Sequence, residues 1–165
     1  MSSTEQNHST ASRERKKVGM LVPPPILLLA IVVLGVVAHL LLFGSFSFSP
    51  IRSALGGGVV LLSILIIGAC VREFKAANTP FRPVSPATAI VNSGLYRFSR
   101  NPMYVGMAGV LLGLAVIFGS YILGVGLLLF VFIVHFGVVL PEEHYLESLH
   151  GETYRHYKQS VHRWL

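Results

Sequence analysis

Four apolar segments form the body of the chain, and two short stretches and one long polar connection separate them. A helix rises about 1.5 Å per residue, so about 20 apolar residues cross the roughly 30 Å hydrocarbon core of a membrane. The pattern therefore predicts an all-α integral membrane protein with four transmembrane helices. We expect these helices at about residues 25–43, 54–71, 103–118 and 121–140.

Glycines on one face of a helix allow a second helix to approach closely in lipid. The third segment carries three glycines at intervals of three and four residues, and the second segment opens with a run of three. Because only Gly119-Ser120 separates the last two segments, we expect them to form a tight helical hairpin. The glycines concerned are Gly106, Gly109 and Gly113 in the third segment, and Gly56, Gly57 and Gly58 in the second.

Polar residues flank this apolar body at three places. Residues 1–17 are polar and end in a basic cluster, so residues 1–20 are predicted to form a disordered tail and residues 21–165 one membrane domain. The connection 72–102 contains the helix-breaking pairs Thr79-Pro80, Arg82-Pro83 and Ser85-Pro86, and its length favours an ordered lid or cofactor wall, with a flexible linker as the alternative. After Leu140 we expect two short helices, separated at Gly151.

Composition and charge agree with a membrane protein. With 53% hydrophobic and 12% charged residues, the chain is too apolar for an ordinary soluble domain. Of the thirteen Lys and Arg residues, only Arg52 falls beside the first turn between spans. The positive-inside rule then predicts that both termini and the long connection are cytoplasmic. This orientation explains the net charge of +6, so no nucleic-acid partner is expected.

The cysteine and histidine content does not indicate a metal site. Cys70 is the single cysteine and lies in an apolar run, which excludes an intrachain disulfide and is typical of a small buried hydrophobe. His39 has no second histidine at a spacing that would share a metal ion, so its ring is expected to face a neighbouring helix or the interface. We therefore predict that the protein binds no metal.

The chemically specific part of the chain is the stretch 93–106. Asn101 followed by Pro102 predicts a helix start, in which the Asn side chain caps free backbone N–H groups. Arg100 lies just outside this helix N-terminus, where backbone donors and the helix dipole favour an anion. The alternative is that Arg97 and Arg100 only anchor the helix to lipid headgroups.

Two acids, Glu142 and Glu143, follow the last apolar segment directly. Carboxylates beside the end of a span are unfavourable unless they are solvated, paired or functional. The simpler interpretation is that Pro141 starts a helix, so that both acids are first-turn residues stabilised by the helix dipole.

The C-terminal half, from about Thr79 onward, carries these pieces in one order. The order is Gly94-x-Tyr96, Arg100-Asn101-Pro102-x-Tyr104-x-Gly106, an apolar hairpin, Glu142-Glu143, and Leu149-His150-Gly151-x-x-Tyr154-x-x-Tyr157. This pattern closely resembles the isoprenylcysteine carboxyl methyltransferase family and its small bacterial relatives. Asn101 stands where a His is more usual in that family, and His150 where a Phe is common. Five residues match the family pattern: Arg100, Pro102, Tyr104, Glu142 and Glu143.

The resemblance implies an integral membrane methyltransferase that uses S-adenosylmethionine. Its acceptor would be lipophilic, such as the carboxylate of a prenylated cysteine or a related lipid-like substrate, and membrane lipid would be its other partner. The cofactor site would lie on the cytoplasmic side between residues 94–106 and 141–163, with Arg100 as the candidate catalytic residue. The implied cofactor-binding residues are Tyr96, Arg100, Asn101, Pro102, Tyr104, Glu142 and Glu143.

The groups of S-adenosylmethionine suit these residue types. Arg100 at a helix N-terminus suits the carboxylate. Glu142 or Glu143 suits the ammonium or the ribose hydroxyls. Tyr96 or Tyr104 can cover the adenine or face the positive sulfonium.

Two other functions are compatible with parts of the pattern. Membrane sterol reductases look similar in the same region but use NADPH, and here two adjacent acids would repel its 2′-phosphate. A non-enzymatic scaffold or small transporter would explain four spans. It would not explain why Arg, Tyr and Glu cluster on one side of the membrane.

Overall fold

The computed structural model describes residues 23–76 and 93–165. The predicted tail, residues 1–20, and most of the 72–102 connection lie outside the described residues. Within the described chain the regular structure is helical and no strand forms, although Ser99 and His162 make one isolated parallel bridge. The elements are α1 (Pro24–Phe43), α2 (Pro50–Ala76), a 3-10 turn (Gly94–Arg97), α3 (Pro102–Phe118), α4 (Tyr121–Val134), a π-helical segment (His135–Val139), α5 (Leu140–His150) and α6 (Glu152–Ser160).

Three helical stretches of the described chain are long and apolar enough to cross a membrane: Pro24–Phe43, Pro50–Ala76 and Tyr121–His150. Their mean hydropathies are 3.1, 2.5 and 2.7. The other apolar helix, α3, has 17 residues, which at about 1.5 Å per residue span about 26 Å, slightly less than a hydrocarbon core. The predicted all-α architecture is confirmed, whereas a fourth membrane crossing stays a prediction.

Helix α2 is longer than the apolar segment that predicted it. It begins at Pro50, because proline fits the first helical position, where no N–H is needed. It also continues to Ala76, beyond the predicted end at residue 71. The added turn, Arg72–Lys75, contains good helix formers, so the change to polar residues ends the apolar part without ending the helix. The predicted connection 72–102 was therefore wrong over residues 72–76.

The helix that begins at Tyr121 does not end at Leu140, where we predicted the end of the last span. It continues through the π-helical segment into α5. Pro141 has no N–H to donate, and its ring would crowd a carbonyl of the preceding turn. A widened turn directly before the proline relieves this crowding. Pro141 thus lies in the first turn of α5, as predicted, but α5 continues the preceding helical segment without a break.

Helices α2 and α3 approach closely through small residues. A Cβ atom at Gly113 would lie 2.7 Å from the carbonyl oxygen of Gly56, and one at Gly106 would lie 3.1 Å from that of Ser63. Gly109 faces the hydroxyl of Ser63. The predicted glycine face of α3 is confirmed, and it brings the start of α3 against the C-terminal half of α2.

Other glycines behave differently. Gly57 and Gly58 have open space where a side chain would project, so of the three glycines near the start of α2 only Gly56 serves close packing. Helices α1 and α4 also meet at glycines, because Gly35 lies against Leu123 and Gly126 lies against Ile31.

His39 lies at the end of α1 opposite the candidate site. Its Nδ1 lies 3.0 Å from the hydroxyl of Ser120, and its Nε2 lies 3.2 Å from the carbonyl of Ser45. The ring stacks on Phe46 with centroids 4.4 Å apart. The expectation that this ring faces a neighbouring helix is confirmed, since Ser120 caps α4. Within the described chain no three His, Cys, Asp or Glu side chains are grouped to hold a metal ion.

The C-terminal part of the chain folds back toward the start of α3. Gly151, with φ at +52°, separates α5 from α6, as predicted. After α6 the chain turns, and residues Val161–Leu165, which we call the C-terminal strap, run beside Ser99–Asn101. The strap therefore lies across the stretch in which the sequence concentrates its chemistry.

Candidate functional site

The start of α3 has the backbone form that Asn-Pro predicts, but without the predicted side-chain cap. Asn101 lies at the N-cap position with Pro102 in the first turn, and its side chain accepts no hydrogen bond from the helix. Its Nδ2 instead donates to the carbonyl of Arg163 at 2.9 Å. The capping prediction was wrong because the amide group is used in a contact with the C-terminal strap.

The backbone N–H groups of Arg100 and Asn101 also form hydrogen bonds. The N–H of Arg100 donates to the carbonyl of His162 at 2.8 Å, and the N–H of Asn101 donates to the hydroxyl of Ser99 at 3.1 Å. The backbone N–H of Arg100 is therefore not a free donor for an anion. The predicted anion site at this helix start depends on the Arg100 side chain instead.

Glu143 is the centre of an ionic triad with Arg100 and Arg163. Its two carboxylate oxygens each accept from Arg163, from Nε at 2.9 Å and from Nη2 at 2.9 Å. Arg100 Nη1 lies 2.9 Å from Glu143 Oε1. The fork of a guanidinium matches a carboxylate in this bidentate arrangement, which makes the pair both strong and directional. The hydrogen bond to Glu143 raises the pKa of Arg163.

The burial of the triad differs among its members. The side chains of Arg100 and Glu143 are 9% and 7% exposed, whereas that of Arg163 is 35% exposed. Two guanidinium groups share one carboxylate, so the triad carries a net positive charge. A buried charge of this kind is stabilised by a further anion.

Arg100 also has unused hydrogen-bonding capacity. Its Nε is buried and has no acceptor among the described residues. Its Nη1, although close to Glu143, does not point at the carboxylate in hydrogen-bond geometry. Because buried donors are nearly always satisfied in folded proteins, these atoms indicate a position for a water molecule or an anionic ligand.

Glu142 and Glu143 are neighbours on α5 but face different surroundings. Whereas Glu143 enters the triad, Glu142 is half-buried and accepts a hydrogen bond of 3.4 Å from the hydroxyl of Tyr104. Tyr104 is one turn into α3, so the structure brings Tyr104 and Glu142 together beside the triad. Both acids lie in the first turn of α5, as the simpler interpretation predicted, but their side chains have different partners.

Tyr96 belongs to the packed wall behind the site. Its side chain is buried, its ring meets the ring of Phe74 edge-on at 5.5 Å, and its carbonyl accepts a hydrogen bond of 2.7 Å from the hydroxyl of Tyr157. Burial raises the pKa of Tyr96 well above its usual range. Its ring therefore presents no open face to a ligand in this conformation.

Arg97 lies apart from the triad. It lines an open groove of about 600 Å³ on the outside of α6, together with Thr153, His156, Tyr157, Ser160 and Val161. Of the two arginines that we considered as headgroup anchors, Arg97 alone has the exposed position that this role requires.

The sequence analysis did not name any residue of the C-terminal strap, or His135 that contacts it, as a candidate site residue. Arg163 completes the triad, and Trp164 Nε1 donates to His135 Nδ1 at 3.2 Å in the π-helical segment. Tyr154, which the family pattern includes but which was not among the candidate site residues, is buried beside the triad. The available signal was weak: a basic residue next to the only tryptophan, directly after the last helix.

The comparison with known families bears directly on this geometry. Residues 51–153 match the phospholipid methyltransferase family. The chain belongs to this family. The family is that of the isoprenylcysteine carboxyl methyltransferase-like membrane methyltransferases, so the resemblance predicted from the sequence is confirmed. The matched residues include the start of α3 and both acids but end before the C-terminal strap.

One curated relative and the solved structures were also compared. An uncharacterized protein of Haemophilus influenzae is 36% identical over 63 residues, which make up 38% of this chain and 100% of that protein. No solved structure matches the chain. Membership of the phospholipid methyltransferase family therefore carries the functional argument, and it favours a membrane methyltransferase over a reductase or a scaffold.

Contrary to the prediction from the sequence, the two acids do not both repel the 2′-phosphate of NADPH. The charge of Glu143 is compensated by two arginines. The triad itself attracts anions. The distinction from a reductase thus depends on the family match, not on the Glu-Glu pair.

Proposed function

We propose that the protein is an S-adenosylmethionine-dependent membrane methyltransferase, which binds its cofactor between the start of α3 and α5 and methylates a lipophilic acceptor. The observation that carries the proposal is the buried Arg100 side chain, whose Nε has no acceptor among the described residues. Methyltransferases of this family need a site for a zwitterionic, sulfonium-bearing cofactor. A buried guanidinium with an unused donor suits the carboxylate of that cofactor.

The remaining cofactor groups suit the neighbouring side chains. We assign the cationic groups, the ammonium and the sulfonium, to the side of Glu142 and Tyr104, since a carboxylate and an aromatic ring both favour a cation. Glu143 acts differently, because it orients Arg100 instead of contacting the ligand. Asn101 and Pro102 shape the backbone around Arg100, and Tyr96 supports the wall.

The chemistry requires little from acid–base groups. Bound S-adenosylmethionine would supply its methyl group to a nucleophilic atom of the acceptor, and the electron pair of the broken carbon–sulfur bond would stay on sulfur, giving S-adenosylhomocysteine. A site accelerates this step mainly by holding the two reactants in line and excluding water. We assign Arg100 to this positioning, through its contact with the cofactor.

The acceptor is proposed to enter from the bilayer. The outer faces of α1, α2 and α4 carry large exposed apolar side chains that suit contact with lipid. A carboxylate of a prenylated cysteine and the headgroup of a lipid-like molecule are both compatible acceptors. The orientation we propose has four spans and both termini in the cytoplasm, which the distribution of Lys and Arg supports.

Calorimetry on the purified chain in detergent tests the proposal. S-adenosylmethionine and S-adenosylhomocysteine should bind, and NADPH should not. Arg100→Ala should weaken cofactor binding about tenfold or more, because it removes a charge-assisted contact. Arg155→Ala is the matched control, since Arg155 is also a C-terminal arginine in ion pairs but is 55% exposed. Binding of NADPH alone would support a reductase, and no response to either ligand would contradict the enzymatic assignment.

A further inference from the structure

The C-terminal strap contacts the candidate site at three points. The carbonyl of His162 accepts from the N–H of Arg100 at 2.8 Å, and the carbonyl of Arg163 accepts from Asn101 Nδ2 at 2.9 Å. Trp164 extends beyond them and donates to His135 at 3.2 Å. The backbone on both sides of the Arg163 side chain is thus fixed, and this side chain is aimed at Glu143.

Arg163 determines how Glu143 meets Arg100. Glu143 Oε1 lies 2.9 Å from Arg163 Nε and 2.9 Å from Arg100 Nη1, so one oxygen is shared by both arginines. The second oxygen is held by Arg163 Nη2. Without Arg163, the carboxylate would be free to turn both oxygens toward Arg100 and to occupy the donors that now remain unused.

Arg163 also determines the charge of the triad. With it, two guanidinium groups face the carboxylate of Glu143, so the triad alone carries one net positive charge. Without it, the pair Arg100–Glu143 would be neutral, and an anion would gain little from approaching Arg100.

We propose that Arg163 is a positioning residue of the cofactor site. Through Glu143 it keeps the Arg100 guanidinium available and the triad positive, so that the site recognises the carboxylate of the ligand. This inference rests on the proposed function, because it takes S-adenosylmethionine as the ligand. It adds a residue that lies beyond the segment matching the family.

A pair of ligands separates this role from a structural one. The affinities of S-adenosylmethionine and of its decarboxylated analogue are measured by calorimetry on the full-length protein in detergent. We expect the wild-type protein to prefer the ligand with the carboxylate. In Arg163→Ala this preference should fall by about tenfold, the magnitude of one charge-assisted contact, mainly through weaker binding of S-adenosylmethionine.

The controls distinguish the possible explanations. Arg155→Ala should keep the wild-type preference, because its ion pairs with Glu147 and Glu152 lie outside the triad. Arg163→Lys keeps the charge but loses the bidentate fork, so its preference should fall by less than in Arg163→Ala. If Arg163→Ala does not fold, as judged by gel filtration, the Lys variant decides the question.

Two results would overturn the inference. Equal losses of affinity for both ligands would mean that Arg163 only supports the fold, and an unchanged preference in both Arg163 variants would mean that it has no part in recognition. Failure of the proposed function gives a different result, since the wild-type protein would then bind neither ligand.

Discussion

The side-chain amide of Asn101 donates a 2.9 Å hydrogen bond to the carbonyl of Arg163, although 62 residues separate the two in sequence. Asn101 thus joins the start of α3 to the C-terminal strap, and its amide is used for that contact instead of for capping its own helix. Asn101 stands where the family pattern usually has a His. Its side chain here connects two distant parts of the chain.

Replacing Asn101 distinguishes the connector from the cap. Asn101→Ala should destabilise the protein by about 1 kcal/mol, through the loss of one hydrogen bond, and should weaken cofactor binding through the strap. Asn101→Ser restores a good capping side chain but is too short to reach the same carbonyl. Thermal unfolding in detergent should therefore show both variants destabilised. Full recovery of stability in the Ser variant would mean that capping is the role of this residue.

Replacement by Gln should affect mainly stability at Glu143 and mainly cofactor binding at Glu142. Glu143→Gln leaves Arg100 buried without its counter-charge, which costs about 3–5 kcal/mol for a fully buried pair and less here because Arg163 is 35% exposed. Glu142→Gln keeps an oxygen for the Tyr104 hydroxyl and should lower stability less than Glu143→Gln. It should nevertheless weaken the binding of S-adenosylmethionine.

The measurements for this pair are thermal unfolding and calorimetry on the same preparations. A Glu142→Gln variant with wild-type cofactor affinity would remove Glu142 from the site. A Glu143→Gln variant as stable as the wild type would contradict the energetic importance of the triad.

The sequence predicts those features that repeat or that act locally. The apolar segments predict α1 through α4, the spacing of Gly106, Gly109 and Gly113 predicts the close approach of α2 and α3, and Asn-Pro predicts where α3 begins. These signals survive because each depends on neighbours within a few residues.

Long-range pairing explains what the sequence leaves undetermined. Nothing in the local pattern shows that Arg163 contacts Glu143, or that the C-terminal strap accepts a hydrogen bond from the Asn101 side chain. The π-helical turn before Pro141 is another example, because the proline indicates a helix boundary while the helix continues from α4 into α5. The sequence therefore predicted a set of residues for the candidate site. Only the structure shows that Glu143 pairs with two arginines while Glu142 contacts Tyr104.

Adjacent glycines in α2 provide a test of the helix packing. Alanine at position 56 would place its Cβ 2.6 Å from the carbonyl oxygen of Gly113, so the backbones must move apart, at a cost of about 1–3 kcal/mol. Alanine at position 57 meets nothing within 4 Å and should be neutral or slightly stabilising, because Ala favours helix over Gly by up to about 1 kcal/mol. Unfolding of the two variants in the same detergent checks the difference. Similar effects of Gly56→Ala and Gly57→Ala would argue against this interface.

The tyrosine beside the triad should make the protein sensitive to alkali. Burial, followed by the charge of Glu143, raises the pKa of Tyr154 from 10.0 to about 12. The folded state therefore holds the phenolic proton more tightly than the unfolded state, and this contribution is complete below pH 10. Stability should fall as the pH rises from about 10 to about 12. In Tyr154→Phe the fall over this interval should be shallower, whereas an identical pH profile would exclude Tyr154 as a cause.

The number of membrane crossings can be decided by reporter fusions, because α3 is the apolar helix of the described chain that is shorter than a full span. If α3 crosses, the fusions at Leu165 and within residues 77–92 should lie on the same side, and a fusion within residues 45–49 should lie on the other. If α3 does not cross, Leu165 and residues 77–92 should fall on opposite sides. The prediction from the Lys and Arg distribution is the first result, with the shared side cytoplasmic. Since the proposed site joins α3 to the C-terminal strap, a C-terminus outside the cytoplasm would also contradict the proposed access of the site to cytoplasmic cofactor.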